Sequence, residues 1–423
     1  MTGIGPTETV SSKGSSTVVS SFPKLQILKP LYLIIAVVVL SHAAYAGTRF
    51  SITLYALELQ ASPLIVGVLL SLFSLLPMVG SVPMGRLVDR RGMRAPLLAG
   101  TLTLVLCTLT AAFAGSLTWL FLVAAAAGAA YFSVLISAQQ LVGRYGAPAE
   151  RTNNFVLLGM CFSISSMIVP VVAGFLIDHA GFRYAFLATT LFPVFAAIIV
   201  AARMLPNMGP SATANAAVTP ATKPDAGSKQ AAGGVLGLIR EPALRRLYVY
   251  GIVFTVSWDV FLFLTPIFGA QLKLSASQIG IIVGCYSTAT LVVRLFSRRL
   301  TRSFTSWQLL LMSLTGLGLG CLAYGFAGTA SLLMACAFIM GFGHGMATPT
   351  LNTLLYEFSP PNRIAEAMGL RLSIGKVFQI SLPLVSGAVS TLFGVAPMFW
   401  AVSAIQLGTV FATRAQWHAK ATR

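Results

Sequence analysis

Charged side chains are scarce in this chain, and the few that interrupt long apolar runs are its candidates for chemistry. Asp259 lies in the run 247–270, Arg371 and Lys376 in the run 366–388, and Arg49 in the run 31–56. His42 and His344 fall inside the runs 31–56 and 330–355. A charge at the centre of a bilayer costs about 2.5–3.5 kcal/mol on the insertion scale, so each is a functional candidate by default. At a helical rise of about 1.5 Å per residue, Asp259 sits about 20 Å into its run, Lys376 about 15 Å and Arg371 about 7 Å, shallow enough to snorkel. Asp259 is the only acid deep in a run. It reads either as a carboxylate that takes up and releases a proton, or as one half of an ion pair that locks helices together. Lys376 is then the partner of that lock or a counter-charge for an anionic solute. Arg49 divides between a gate ion pair and solute contact. His42 and His344 read as packing residues with one satisfied hydrogen bond, or in the case of His344 as a proton relay near neutral pH. Trp258, with Phe261, offers an aromatic wall to an organic ligand. Arg371 and Lys376 lie about 140° apart round a helix, so one is expected to line a cavity and the other to touch a neighbouring helix. Arg294, at the end of the run 278–296, reads as a topology anchor.

The elements that must hold these residues are membrane spans. Of 423 residues, 56% are hydrophobic and 9% charged, against about 25% charged in a soluble domain. Mean hydropathy is +0.84. This excludes a soluble enzyme, a nucleic-acid binder and a disordered chain. Twelve runs are long enough to cross, at about 20 residues each: 31–56, 64–84, 95–114, 117–141, 154–176 and 184–203, then 247–270, 278–296, 306–326, 330–355, 366–388 and 396–413. None shows the alternation of a β-barrel strand. The net charge of +18 comes from basic residues in alternate gaps, such as Arg86, Arg90, Arg91 and Arg94, then Arg144 and Arg151, then Arg298, Arg299 and Arg302. The opposite gaps hold only Arg183 and Lys273. The positive-inside rule puts both termini in the cytoplasm, and the charge implies no affinity for nucleic acid. The five cysteines form no CxxC, so neither a disulfide framework nor a metal site is suggested, and no cofactor is implied. The expected organisation is a disordered cytoplasmic tail at 1–24, a six-helix bundle at 25–204, a cytoplasmic linker at 205–240 rich in Ala, Pro, Ser and Gly, a second bundle at 241–414, and a tail at 415–423.

The two bundles are copies. A single shift of about 213 positions lays Gly67 on Gly280, Arg86-Leu87 on Arg299-Leu300, Gly128 on Gly341, Pro170 on Pro383, Gly174 on Gly387, Gly181 on Gly394 and Phe186 on Phe399. An even number of spans per copy makes the repeat parallel, related by an axis along the membrane normal. Such a duplication either serves packing alone or supplies two bodies that rock about a seam. The spacings Gly316-x-x-x-Gly320 and Gly341-x-x-x-Gly345 are read as close helix packing.

After the second run comes Gly85-Arg86-Leu87-Val88-Asp89-Arg90-Arg91-Gly92-Met93-Arg94. Gly85 suits close helix approach, Asp89 can accept from Arg144 or Arg151, and Gly92 permits a tight turn. This segment resembles the signature loop of the major facilitator superfamily, at the position where that family carries it. The resemblance runs from about Leu31 to Thr413 and implies an all-α membrane protein of twelve transmembrane helices in two pseudo-symmetric bundles. It also implies a functional monomer that moves a small molecule by alternating access in the plasma membrane, the inner membrane of a bacterial cell. The second copy, Arg298-Arg299-Leu300-Thr301-Arg302-Ser303, lacks the Asp and glycines. Pro170 and Gly174 resemble part of the helix-5 run of drug:proton antiporters, whereas no Arg precedes Gly128. Proton-coupled efflux is therefore expected, the alternative being uptake or exchange of a small organic anion such as a carboxylate. No GxxxxGK loop points to ATP, and neither HExxH nor GxSxG points to an enzyme.

Overall fold

The computed structural model describes residues 24–144, 151–205, 234–360 and 363–421; within these, the side chains of 24–30, 79, 81–91, 143–144, 151–153, 155–156, 234–236, 298, 365 and 414–421 are not described. The long helices are α1 (Lys24–Glu58), α2 (Pro63–Arg91), α3 (Arg94–Ala111), α4 (Leu117–Arg144), α5 (Arg151–Ala180), α6 (Phe182–Ala201), α7 (Pro242–Gln271), α8 (Ala276–Leu295), α9 (Ser306–Tyr324), α10 (Ala330–Phe358), α11 (Ile364–Phe393) and α12 (Ala396–Ala421). Short helices Gly234–Arg240 and Ser297–Ser303 precede α7 and follow α8. Among the described residues, eleven helices are long and apolar enough to cross a membrane, and Pro63–Met78 of α2 is a shorter apolar stretch.

Each predicted run is one helix, usually with an added turn at its ends. α5, for example, exceeds 154–176 on both sides, and α11 exceeds 366–388. Intrahelical hydrogen bonds continue past the apolar stretch until a cap or turn stops them. The expected linker 205–240 contains the short helix Gly234–Arg240, and α12 runs through Ala421 into the expected tail 415–423. Residues 206–233 and 1–23 lie outside the described residues.

The repeat seen in the sequence is realised contact by contact. The two halves meet along α2 against α11 and α5 against α8. At Gly67 a side chain would strike the carbonyl of Pro383, and at Gly280 it would strike the carbonyl of Pro170, 213 positions away in each partner. Gly387 lies on the backbone of Pro63 and Leu64, as Gly174 lies on Ala276 and Ser277. Within each half, Gly128 rests on the carbonyl of Phe73 and Gly341 on that of Tyr286, again one shift apart. Helix starts follow the same symmetry. Ser62 caps α2 and Ser275 caps α8, the latter in a capping box with Gln278.

The first turn of each of these helices is also capped from the other half. Asp178, on the last turn of α5, accepts from the amides of Ala276 (2.9 Å) and Ser277 (2.8 Å) at the start of α8. Its counterpart by the shift, Thr391 on α11, accepts from the amide of Leu64 at the start of α2 (3.2 Å). Ser71 adds a bond from α2 to the carbonyl of Ile380 (2.9 Å). A carboxylate on a helix N-terminus satisfies two orphan donors and sits at the positive end of the dipole. These ties collect at the end of the molecule that bears the turns after α1, α5, α7 and α11, here called the clasped end.

At the other end, Gly92 closes α2 with φ +79°, which explains its place in the signature segment. Arg94 donates to the carbonyl of Ala201 at the C-terminus of α6 (3.0 Å). The side chains of Gly85's neighbours, including Asp89 and Arg90, lie outside the described residues, as does any pairing of Asp89 with Arg144 or Arg151. The glycine spacings act in packing as expected, Gly320 against Met340 and Gly345 against Thr290 and Val293.

Substituting Gly67 or Gly280 with Ala is expected to cost about 1–3 kcal/mol, because the added methyl meets a backbone carbonyl that no rotamer can clear. Gly408→Ala, which opens on free space, is the control. Thermal unfolding of the purified protein should show a clear drop for the first two and little for the third. Equal melting of all three would remove the seams from the account.

Candidate functional site

Away from the clasped end the halves part around a cavity of three lobes that meet at Trp258. The first, of about 250 Å³, lies between the halves and is lined by Tyr45 and Arg49 of α1, Tyr131 of α4, Pro170 of α5, Ser287 of α8, and Lys376 and Gln379 of α11. The second, of about 220 Å³, lies between α7, α10 and α11 and holds Asp259, His344, Arg371, Lys376 and Gln379. The third, of about 330 Å³, opens between α4, α5 and α8 and holds His42, Gln139, Ser163, Ser287, Arg294 and His344. Leu372 and Gln139 are exposed on the side of the cavity away from the clasps.

Aromatic rings make the walls. In the first half Tyr45 stacks on Tyr131 (4.3 Å between centroids) and His42 leans on Phe162 (4.8 Å). In the second, Trp258 stacks on His344 (5.2 Å) and Phe261 on Tyr286 (4.3 Å). His42 Nδ1 also meets Ser165 Oγ (3.1 Å), whereas the buried Nδ1 of His344 has no partner. Among the described residues His42 thus has a hydrogen-bond partner at Nδ1 while lining the cavity, and the Nδ1 of His344 has none.

Asp259 is 1% exposed, and among the described residues neither carboxyl oxygen has a hydrogen-bond partner. Arg49 and Lys376 act on it electrostatically, and the amide of Gln379 is directed towards it. Neither cation forms an ion pair with it within 4.0 Å; among the described residues the ion pair inside that distance is Arg363 with Glu366 (2.8 Å). The locked pair that the sequence allowed is therefore absent from this conformation. Lys376 instead donates to Gln379 Oε1 (2.7 Å). The Nε of Arg371 is buried without a partner.

One sequence expectation is corrected. Arg371 and Lys376 both line the second lobe, although about 140° separates their positions round α11. Angular spacing fixes where Cα lies, but a four-carbon stem lets the Lys376 ammonium swing back to Gln379 on the Arg371 face. Arg294, in the last turn of α8, also bonds to the other half. Its Nη1 crosses the seam to Ser163 Oγ (2.7 Å) and the carbonyl of Gly159 (3.4 Å) on α5. Tyr131, Gln139, Ser287 and Gln379 were missed, since uncharged polar residues in apolar runs give no signal of which way they point. Pro170 of the helix-5 run lines the first lobe, while Gly174 serves the clasped end. Among the described residues no group of three or more His, Cys, Asp or Glu could hold a metal ion, and all five cysteines are free.

The family model of the Major Facilitator Superfamily matches residues 34–272 and 247–414. A human protein, solute carrier family 67 member A1, is 24% identical over 363 residues, covering 83% of this chain and 84% of that protein. The fold is that of a POT family transporter in complex with 5-aminolevulinic acid, with TM-score 0.74 at 13% identity, over 91% of this chain and 95% of that one. It is also that of the nucleoside transporter NupG, with TM-score 0.70 at 12% identity, over 91% and 99%. A bacterial homolog of the human lysosomal transporter Spinster, inward-facing and unoccupied, gives TM-score 0.65 at 15% identity, over 93% and 95%.

Cysteine placed at Gln139 or Gln379, in a background without the native cysteines, should react with a polar methanethiosulfonate reagent applied from the face that bears the basic connections. Cysteine at the buried Ser386 should not. Protection of positions 139 and 379 from that face, or reaction at 386, would mean that the cavity does not open where its exposed rim lies.

Proposed function

The chain belongs to the Major Facilitator Superfamily, and from that premise we propose that it is a secondary active transporter working by proton-coupled efflux of a small organic molecule. The protein is a monomer in the plasma membrane, the inner membrane of a bacterial cell, with twelve spans and both termini cytoplasmic. The bodies 25–204 and 241–414 rock about the α2/α11 and α5/α8 seams, so that the cavity faces one side and then the other. On this orientation the clasped end is the outer face, and the conformation described is open to the cytoplasm.

The observation that carries the proton coupling is Asp259. A carboxylate sealed in protein with no hydrogen bond to either oxygen is costly, and protonation relieves that cost. Rocking that brings Arg49 or Lys376 into contact stabilises the charged form. Proton occupancy and conformation are then linked through one residue. Gln379, directed at Asp259 and bonded to Lys376, relays between them.

A specific observation also favours the second reading, uptake or exchange of an organic anion. The cavity is lined by Arg49, Arg294, Arg371 and Lys376 against the single acid Asp259. A site for an organic cation would not gather that excess.

In proteoliposomes, a solute found by panel screening should accumulate against its gradient when a proton gradient is imposed. Asp259→Asn should abolish that accumulation and leave solute counterflow within about three-fold of the unaltered protein, since exchange needs rocking but no net proton movement. Gradient-driven accumulation that survives Asp259→Asn would contradict the assignment.

A further inference from the structure

The organic-anion reading can be sharpened from where the cations lie. Arg294 and the pair Arg371 and Lys376 occupy different lobes, and Trp258 stacked on His344 is the wall the two lobes share. The Arg294 lobe has no Asp or Glu in its lining. Arg294 uses only Nη1 in its bonds to Ser163 and Gly159, both neutral acceptors, so among the described residues Nε and Nη2 are committed to no protein group. In the other lobe Lys376 meets the neutral Gln379, and Arg371 leaves its Nε unpaired. The one acid there, Asp259, pairs with neither.

Guanidinium groups taken out of water and given only neutral partners recover little of their desolvation cost. What is missing at each lobe is a negative charge. The guanidinium fork suits a carboxylate or phosphate, which accepts two parallel N–H bonds. The wall between the lobes is flat and aromatic, suited to a planar body or short chain laid along it. We propose that the cavity takes an elongated organic dianion, with one anionic group on Arg294 and the other on Arg371 and Lys376, and its middle against Trp258 and His344. This rests on the organic-anion reading above and adds to it a second charge and the residue that receives it. Arg294 then selects dianions over monoanions, beyond tying α8 to α5.

The test is equilibrium binding of three radiolabelled probes to the purified full-length protein: terephthalate, benzoate and benzyltrimethylammonium. All carry one ring and differ in charge. Terephthalate should bind at least about ten-fold more tightly than benzoate, with benzyltrimethylammonium weakest. Arg294→Gln should bring the terephthalate-to-benzoate ratio close to one, and Arg294→Lys should restore part of it. A merely structural Arg294 would lower both anions equally on substitution, and that result overturns its assignment. Equal binding of terephthalate and benzoate by the unaltered protein, or no binding of terephthalate, overturns the dianion while leaving the organic-anion reading standing on benzoate. Tighter binding of benzyltrimethylammonium than of either anion overturns both.

Discussion

Everything in this molecule depends on backbone meeting backbone at a few glycines. Gly67 on Pro383, Gly280 on Pro170, Gly174 on Ala276 and Gly387 on Pro63 bring four helices so close that no side chain separates them. In a membrane, where lipid competes with every apolar contact, such close approach is what holds helices together. Because the contacts lie at one end of α2, α5, α8 and α11, they close that end and leave the rest of the interface free to part. A pair of trans caps, Asp178 on α8 and Thr391 on α2, secures the same end with bonds that can be broken and remade. The charged cap is the stronger of the two, so the α5/α8 seam is held by more than its pseudo-symmetric mate.

The cavity behind these seams owes its chemistry to unpaired charge. Ion pairs inside a membrane protein usually cancel one another. Here Asp259 and the cations Arg49 and Lys376 are near enough to feel each other yet stand apart, and Arg371 in the same lobe keeps its Nε unpaired among the described residues. In the proposed transport cycle that arrangement leaves the acid free to exchange a proton and the cations free to receive a solute. It also means that the resting site is costly. In the same proposal, occupation by an anion, or contact between acid and cation after rocking, offsets the cost and links binding to conformation.

Much of the fold was legible in the sequence because hydropathy and small residues report it directly. The runs mark the helices, and the Gly and Pro matches at a shift of 213 mark the seams and the paired packing of Gly128 and Gly341. The caps were not legible, since Asp178 and Thr391 are equivalent in position but unlike in chemistry. At the site, Asp259, Lys376, Arg49, Arg371, His42, His344 and Trp258 were singled out as charged or aromatic interruptions of apolar runs, and all of them line the cavity. The pairing was not visible, because it turns on separations of a few ångströms between helices distant in the chain. Arg371 and Lys376 share a lobe despite their angular separation, because helical angle locates Cα and long side chains reach well beyond it.

The central claim, that the halves hinge open at the clasped end, is tested most directly by pulsed electron-resonance distances between spin labels at Gln60 and Lys273. These turn residues lie in opposite halves beside the trans caps, and both are exposed. The unaltered protein should show one short separation. Asp178→Asn, which removes the charged cap, should add a second, longer population there, while a label pair at the opposite end of the bundles draws closer. Identical distributions at Gln60 and Lys273 with and without the Asp178 carboxylate would contradict the account.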